Sequence, residues 1–438
     1  MENHTHMPHT SKRGHTLFKK LAESAPQSLI LLFLLLSLTG CLVDIPSQAA
    51  AETNNQFHSP PEDDTIAPVV AETTGPVPFA VLYTESDITG AMYEPAEGAY
   101  LGAWLRPDMT KPAFEELVGK KHAVFVLEMQ IGDDFPATWI LQSISAQAAP
   151  LITLSLPYDN DFPLAELAEF AYELGNFNLP SFIVLNPLSP ESVVTPEEYV
   201  LLFRYARIIF RTYAPMAAFV WHGYDNQATA ESPFYPGHDV VDWVSIELLA
   251  PQGPEGFFVD IPAQLKPFYL SFQQHKPIIL LPLGIGHFSR KDYVYRVPQA
   301  AAEIARIYET MRDMFPRVRL IIYGNHHLTT PKGDDFSLTR EELLINAYQE
   351  ATSDEHFISR LGPGRVEGPM WMRSGLHGYY YEGNIFIDRE ILAKAGQRNL
   401  PNVTVEINNR PYVNTEEINW LKIGTDHTRR IIYIVLQP

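Results

Sequence analysis

Short runs of β-branched and aromatic residues alternate with longer runs whose apolar positions recur at helical spacing. The short runs fall at 99–105, 123–129, 151–156, 181–185, 217–221, 242–248, 277–281 and 319–324. Each is long enough for a strand and too short for a buried helix. Helical periodicity fills the gaps at 112–118, 137–149, 164–174, 196–212, 262–274, 299–314 and 340–352. The fourth of these opens with start signals: Thr195 as cap, Pro196 at the first position and Glu198 three residues past the cap. Eight strands alternating with helices over roughly 285 residues predict an α/β fold of the (β/α)8 TIM-barrel type. An open doubly wound sheet is the alternative, and the count of eight favours closure.

The pattern changes on either side of that region. From 366 to 438 short strands and turns predict a small α+β module. It has a hairpin over 379–387 turning at Glu382-Gly383-Asn384, and Asp388 caps a short helix over 389–395. Strands follow at 403–407 and 411–413, a helix start near Thr415, and a last strand at 430–436. The barrel is expected over 78–362. Residues 41–77 hold Pro46, Pro60, Pro61, Pro68 and Pro76 among small, acidic and polar residues, a composition that predicts an extended tether.

The first forty residues change the picture of where the chain works. Lys12, Arg13, Lys19 and Lys20 precede an apolar run over 29–38, too short for a comfortable membrane span. The run ends in Leu38-Thr39-Gly40-Cys41, which resembles the lipobox of bacterial lipoprotein signal peptides. That likeness implies a signal peptide over 1–40, lipidation of Cys41, and an extracytoplasmic, membrane-anchored protein. An ordinary signal peptide or a membrane anchor is the plainer alternative. Cys41 is the only cysteine of the 438 residues, so no intrachain disulfide is available.

Formal charge is −20, which disfavours nucleic acid, because phosphate neutralisation needs clustered Lys and Arg. A hydrophobic share of 46% with 12% aromatic residues argues against general disorder and suits a neutral ligand such as a glycan.

Several motifs in order resemble glycoside hydrolase family 26, the barrels that include β-mannanases. They are Gly102-Ala103-Trp104 in the first strand, Phe219-Val220-Trp221 in the fifth, Tyr235-Pro236-Gly237 followed by Val241-Asp242-Trp243-Val244, Lys276-Pro277-Ile278, and Asp335-Phe336-Ser337-Leu338. The resemblance spans about residues 78–360. It implies a barrel acting on polysaccharide or oligosaccharide through two glutamates. Neither glutamate position matches. Where the family has its acid/base, at the end of the fourth strand, the chain reads Leu185-Asn186-Pro187-Leu188-Ser189. The nucleophile's place on the seventh strand is Pro282. Retaining glycosidases need two carboxyls about 5–5.5 Å apart, and neither asparagine nor proline can do either task. The resemblance therefore implies glycan binding without the family's hydrolysis. An active enzyme using displaced acids and an envelope scaffold are the alternatives.

Candidate displaced acids are Glu247 and Glu128, with Asp133, Asp134 and Glu191 as loop acids. Candidate sugar-binding residues are Trp104, Trp221, Tyr224, Tyr235 and Tyr323 for stacking, with Asn186, His222, Asp225 and Asn325 for hydroxyl groups. Trp243, inside the sixth strand, is expected to fill the barrel. No cofactor or metal is expected: His222, His287, His326 and His327 lack a ligand spacing, and adjacent strand residues such as His326 and His327 face opposite ways. The last seventy residues weakly resemble the stalk or copper-amine-oxidase-like N-terminal module of bacterial surface proteins. Without a copper ligand set, that likeness implies only a spacer or a contact with a cell-envelope component.

Overall fold

A computed structural model describes residues 75–155, 162–185, 195–223, 228–326, 334–362, 365–394, 405–418 and 422–435. Among the described residues, eight parallel strands close into a barrel. They are β2 (Ala99–Leu105), β3 (Val124–Gln130), β4 (Ala149–Ser155), β5 (Ser181–Leu185), β6 (Ala217–Gly223), β7 (Trp243–Gln252), β8 (Ile278–Ser289) and β10 (Val318–Asn325). The last pairs with both β8 and β2, which closes the ring. A short β9 (Val294–Tyr295) folds back on β8, and β11 (Phe357–Ile358) pairs with β2.

Helices lie between the strands. They are α1 (Lys111–Val118), α2 (Ala137–Ser145), α3 (Leu164–Asn176), α4 (Pro196–Tyr213), α5 (Ile261–Phe272), α6 (Val297–Met314) and α7 (Glu342–Ala351). Helix α4 starts as its sequence signals dictate: the Thr195 hydroxyl accepts from the Glu198 amide while the Glu198 carboxylate accepts from the Thr195 amide. The helix expected over 137–149 is shorter. It stops at Ser145, Gln147 turns with a positive φ of 58°, and Ala149 already begins β4.

Strand parity sorts the side chains. Tyr100, Val124, Val126, Leu151, Phe182, Val184, Val220, Trp243, Ile279, Leu281, Leu320 and Ile322 share one cluster that fills the barrel interior. The alternate residues face outward onto the helices. Trp243 fills the interior as expected, fully buried, with its indole N–H donating to the Met92 carbonyl at 2.7 Å.

That carbonyl belongs to a segment, residues 90–98, that closes the N-terminal end of the barrel. Tyr93 packs against the interior cluster and donates to Met216 O at 2.9 Å. Glu94 pairs with Arg317 at 2.8 Å, with both side chains fully shielded, and lies 3.8 Å from Arg319. Arg319 in turn donates to the Gly98 and Ala96 carbonyls. An ion pair this deep does not survive loss of one partner cheaply, because the remaining charge has no water to turn to.

A second sheet has the order β14-β15-β13-β12-β1-β17-β16. Its members are β1 (Val77–Thr89), β12 (Glu367–Tyr381), β13 (Asn384–Asp388), β14 (Val405–Ile407), β15 (Arg410–Asn414), β16 (Lys422–Asp426) and β17 (Ile431–Val435). The expected hairpin is present, with Glu382 and Gly383 both at positive φ in a two-residue turn. Asp388 accepts from the Glu390 amide ahead of α8 (Arg389–Lys394). At Thr415 the chain forms one turn of 3-10 helix rather than an α-helix. The 78–362 range expected for the barrel begins with residues that belong elsewhere. Strand β1 pairs antiparallel with β12 and parallel with β17, and its Phe79 and Val81 join the core of this sheet.

The sheet is fastened to the barrel's helical side. Gln273 and Arg373 exchange a reciprocal pair of bonds, amide to carbonyl, at 2.6 and 2.8 Å. The Arg373 guanidinium lies 4.5 Å from the Phe315 ring centre, and Arg429 reaches Asp313 at 3.1 Å.

Candidate functional site

Because inward residues recur every second position, the interior cluster can be followed strand by strand to the C-terminal rim. The last inward positions carry Trp104 on β2, Glu128 on β3, Ser155 on β4, His222 on β6, Ser245 and Glu247 on β7, and His326 just past β10. Below the rim the interior is apolar; at the rim it is polar and aromatic. In a (β/α)8 barrel this is the end where loops bring chemistry.

Trp104, Glu128 and His326 line one cleft of about 970 Å³. The segment after β2 supplies Arg106, Asp108, Met109 and Lys111, and the first turn of α2 supplies Trp139. The Trp104 ring lies 5.9 Å from the His326 ring. Arg106 meets Asp108 at 3.3 Å, with the aspartate largely in solvent. Lys111 is 4% exposed. Its ammonium sits 3.5 Å from the Trp139 ring centre and donates to Trp139 O at 3.2 Å. Burial pushes it down from the ordinary lysine value of 10.5 to about 8.

Across the barrel, the His222 ring shares a 2.9 Å hydrogen bond with the Ser245 hydroxyl. These residues are directly paired on β6 and β7, which places both side chains inward. Desolvation pushes His222 down to about 4, so it is a neutral ring near pH 7. Glu247, one inward step above Ser245, is exposed to solvent. It is still enclosed enough that desolvation raises its carboxyl above the usual range. Glu128 and Glu247 stand on strands four apart in a ring of eight, which puts them on opposite walls.

Pro282 lies at a register shift between β8 and its neighbours, where the extra residue of a bulge sits. A Cβ built on inward-facing Gly324 would lie 3.1 Å from the Pro282 Cβ, so the proline ring itself faces the interior. It fills the wall where the family resemblance implies a nucleophile.

Four of the expected sugar-binding residues stand elsewhere. Trp221 is 1% exposed, faces the helices beside Tyr235 and Phe272, and donates to Phe234 O at 3.1 Å. Tyr235 is buried in that same cluster and bonds His238. Tyr323 packs edge-on against Tyr348 of α7. Asn325 is fully buried, linking Thr339 and the Met109 sulfur. All four sit at odd offsets from the inward positions of their strands or outside them. Lying near a strand end says nothing about which wall a residue faces. Cys41, Asn186, Glu191, Tyr224, Asp225 and His327 lie outside the described residues.

Arg106, Lys111 and Trp139 had not been singled out. Their signal was position: each lies in the first turns after a barrel strand, where mouth residues are found.

No family model matches the chain, and no curated protein matches it. Solved structures do resemble it in fold. The family 26 β-mannanase BoMan26A of Bacteroides ovatus is 10% identical, over 60% of this chain and 90% of that one, with a TM-score of 0.45. The family 26 protein GH26C of Muricauda sp. MAR_2010_75 is 13% identical, over 61% and 91%, with a TM-score of 0.44. A family 39 glycoside hydrolase of the gut symbiont Bacteroides cellulosilyticus WH2 is 13% identical, over 74% and 79%, with a TM-score of 0.45.

Proposed function

We propose that the barrel mouth binds a polysaccharide or oligosaccharide without cleaving it by the two-glutamate route. The observation that carries this is the cleft lined by Trp104, Trp139, Glu128 and His326, together with Pro282 in the inward place on β8 outside that lining. Aromatic faces stack on the C–H faces of sugar rings, and the polar groups around them fix orientation. In the same reading the protein is an extracytoplasmic lipoprotein held by Cys41, with the residues between Cys41 and β1 as its tether. The second sheet then serves as a stalk-like spacer or a contact with another envelope component.

The test is a glycan panel in which the mature chain is scored for retention on affinity gels and for release of reducing ends. Retention without release is the expected result. One observation favours a second reading, an enzyme with displaced carboxyls: Glu247 is an inward acid whose desolvation keeps it protonated to higher pH, as a general acid requires. Reducing-end release abolished by Glu247→Gln would establish that reading and end the first.

A further inference from the structure

Some enclosed cations elsewhere in this protein have carboxylates, although buried Arg373 has only the Met314 carbonyl and the Phe315 ring. Arg317 has Glu94 at 2.8 Å, and Arg207 has Asp242 at 2.9 Å. Lys111 does not: among the described residues it makes no ion pair, and its one hydrogen bond goes to a backbone carbonyl. An ammonium has three protons to place, and a lysine this deep without an acid is rare. Its location offers little local relief, because it stands at the first position of α1, where the helix dipole repels positive charge. The aromatic faces of Trp139 and Phe125, at 3.5 and 5.9 Å, attract the cation only partly in place of a carboxylate.

The lysine also lines the cleft between Trp104 and Trp139. Arg106 on the same wall is held only by a solvent-exposed aspartate, a weak grip. The acids bordering the cleft, Asp108 and Glu128, are both exposed.

We infer that the glycan taken at this mouth carries an oxyanion substituent, a carboxylate or a sulfate, that pairs with the Lys111 ammonium. This rests on the reading of the mouth as a glycan site and names the class of glycan. The sugar ring would stack on the flanking tryptophans while its anionic group completes the lysine's hydrogen bonds. Arg106, free to leave Asp108, would supply a second donor. The overall charge of −20 makes indiscriminate adhesion to polyanions unfavourable, so any such binding has to come from a local site.

The experiment is affinity electrophoresis of the wild-type chain, Lys111→Met and Lys111→Arg. The gels contain galactomannan (neutral), polygalacturonate (carboxylate) or dextran sulfate (sulfate). Retardation in one anionic gel is expected, and the gel that retards names the group. Lys111→Met should weaken that affinity by at least about thirtyfold, as expected for removing one partner of a buried charge pair. Lys111→Arg should restore part of it. Thermal melts of the variants confirm that both are folded. Equal retardation of wild type and Lys111→Met in the anionic gel overturns the inference. Retardation only by galactomannan, unchanged in Lys111→Met, overturns the inference and keeps the glycan reading. No retardation in any gel overturns both.

Discussion

Lys111→Met should make the protein more stable at pH 7, an unusual outcome for a substitution at a buried position. Burial shifts the group from 10.5 to about 8, a cost of roughly 3 kcal/mol for carrying the charge into the folded state. Methionine fills a similar volume and removes that cost. It also gives up the hydrogen bond to Trp139 O, about 1 kcal/mol, and the contact with the indole face, about 1 kcal/mol. The balance is a gain of roughly 1 kcal/mol. The pH dependence follows from proton counting. Below pH 8 the lysine is charged in both states, and the folded state bears the full cost. Between 8 and 10.5 the unfolded chain binds more protons than the folded one, so wild-type stability rises with pH. Above 10.5 the cost has vanished in both. The advantage of the variant should therefore be complete at pH 7 and be gone near pH 10.5. Urea unfolding of both proteins at the two pH values measures it. A less stable variant at pH 7, or a difference that does not change with pH, would refute the reasoning.

Glu94→Gln strands Arg317 without a counter-charge at the closed end of the barrel and should cost about 3–5 kcal/mol in the same assay, with glycan retention per folded molecule unchanged. Trp221→Ala should cost a similar amount, about 3–5 kcal/mol, by opening a cavity between barrel and helices. Trp104→Ala, at a partly buried rim position, should instead weaken retention on the glycan gel with a smaller loss of stability; the opposite pattern for the two tryptophans would reverse their assignments.

The barrel was legible in the sequence because each of its strands is buried on both sides and reads as a continuous apolar run. The ends of β2 and β5 fall where the pattern stops. Strand β8 runs on to Ser289, past the expected end at 281, because Pro282 sits at a bulge, where a missing amide donor costs the ladder little. Strand β1 was not recognised, since its partners lie in β12 and β17, far along the chain. The site was legible only in part. A one-residue offset separates inward His222 from outward Trp221, and His326 from Asn325. Register with neighbouring strands decides the face, and a single sequence does not display it. Lys111 shows in the sequence only its position after β2; that its ammonium has a backbone carbonyl and no acid beside it is set by three-dimensional packing.

Strand β1 also has a history in time. It is complete at Thr89, yet β12 begins only at Glu367, about 280 residues later. At a synthesis rate of roughly 5–20 residues per second, β1 waits roughly 15–60 s for its neighbour, with Phe79, Val81 and both backbone edges open. The barrel can assemble during that interval, but the second sheet cannot begin until β12 has been made. A nascent chain stalled anywhere in the barrel therefore carries an unpaired β1, and a chain that ends before β17 leaves one edge of it open.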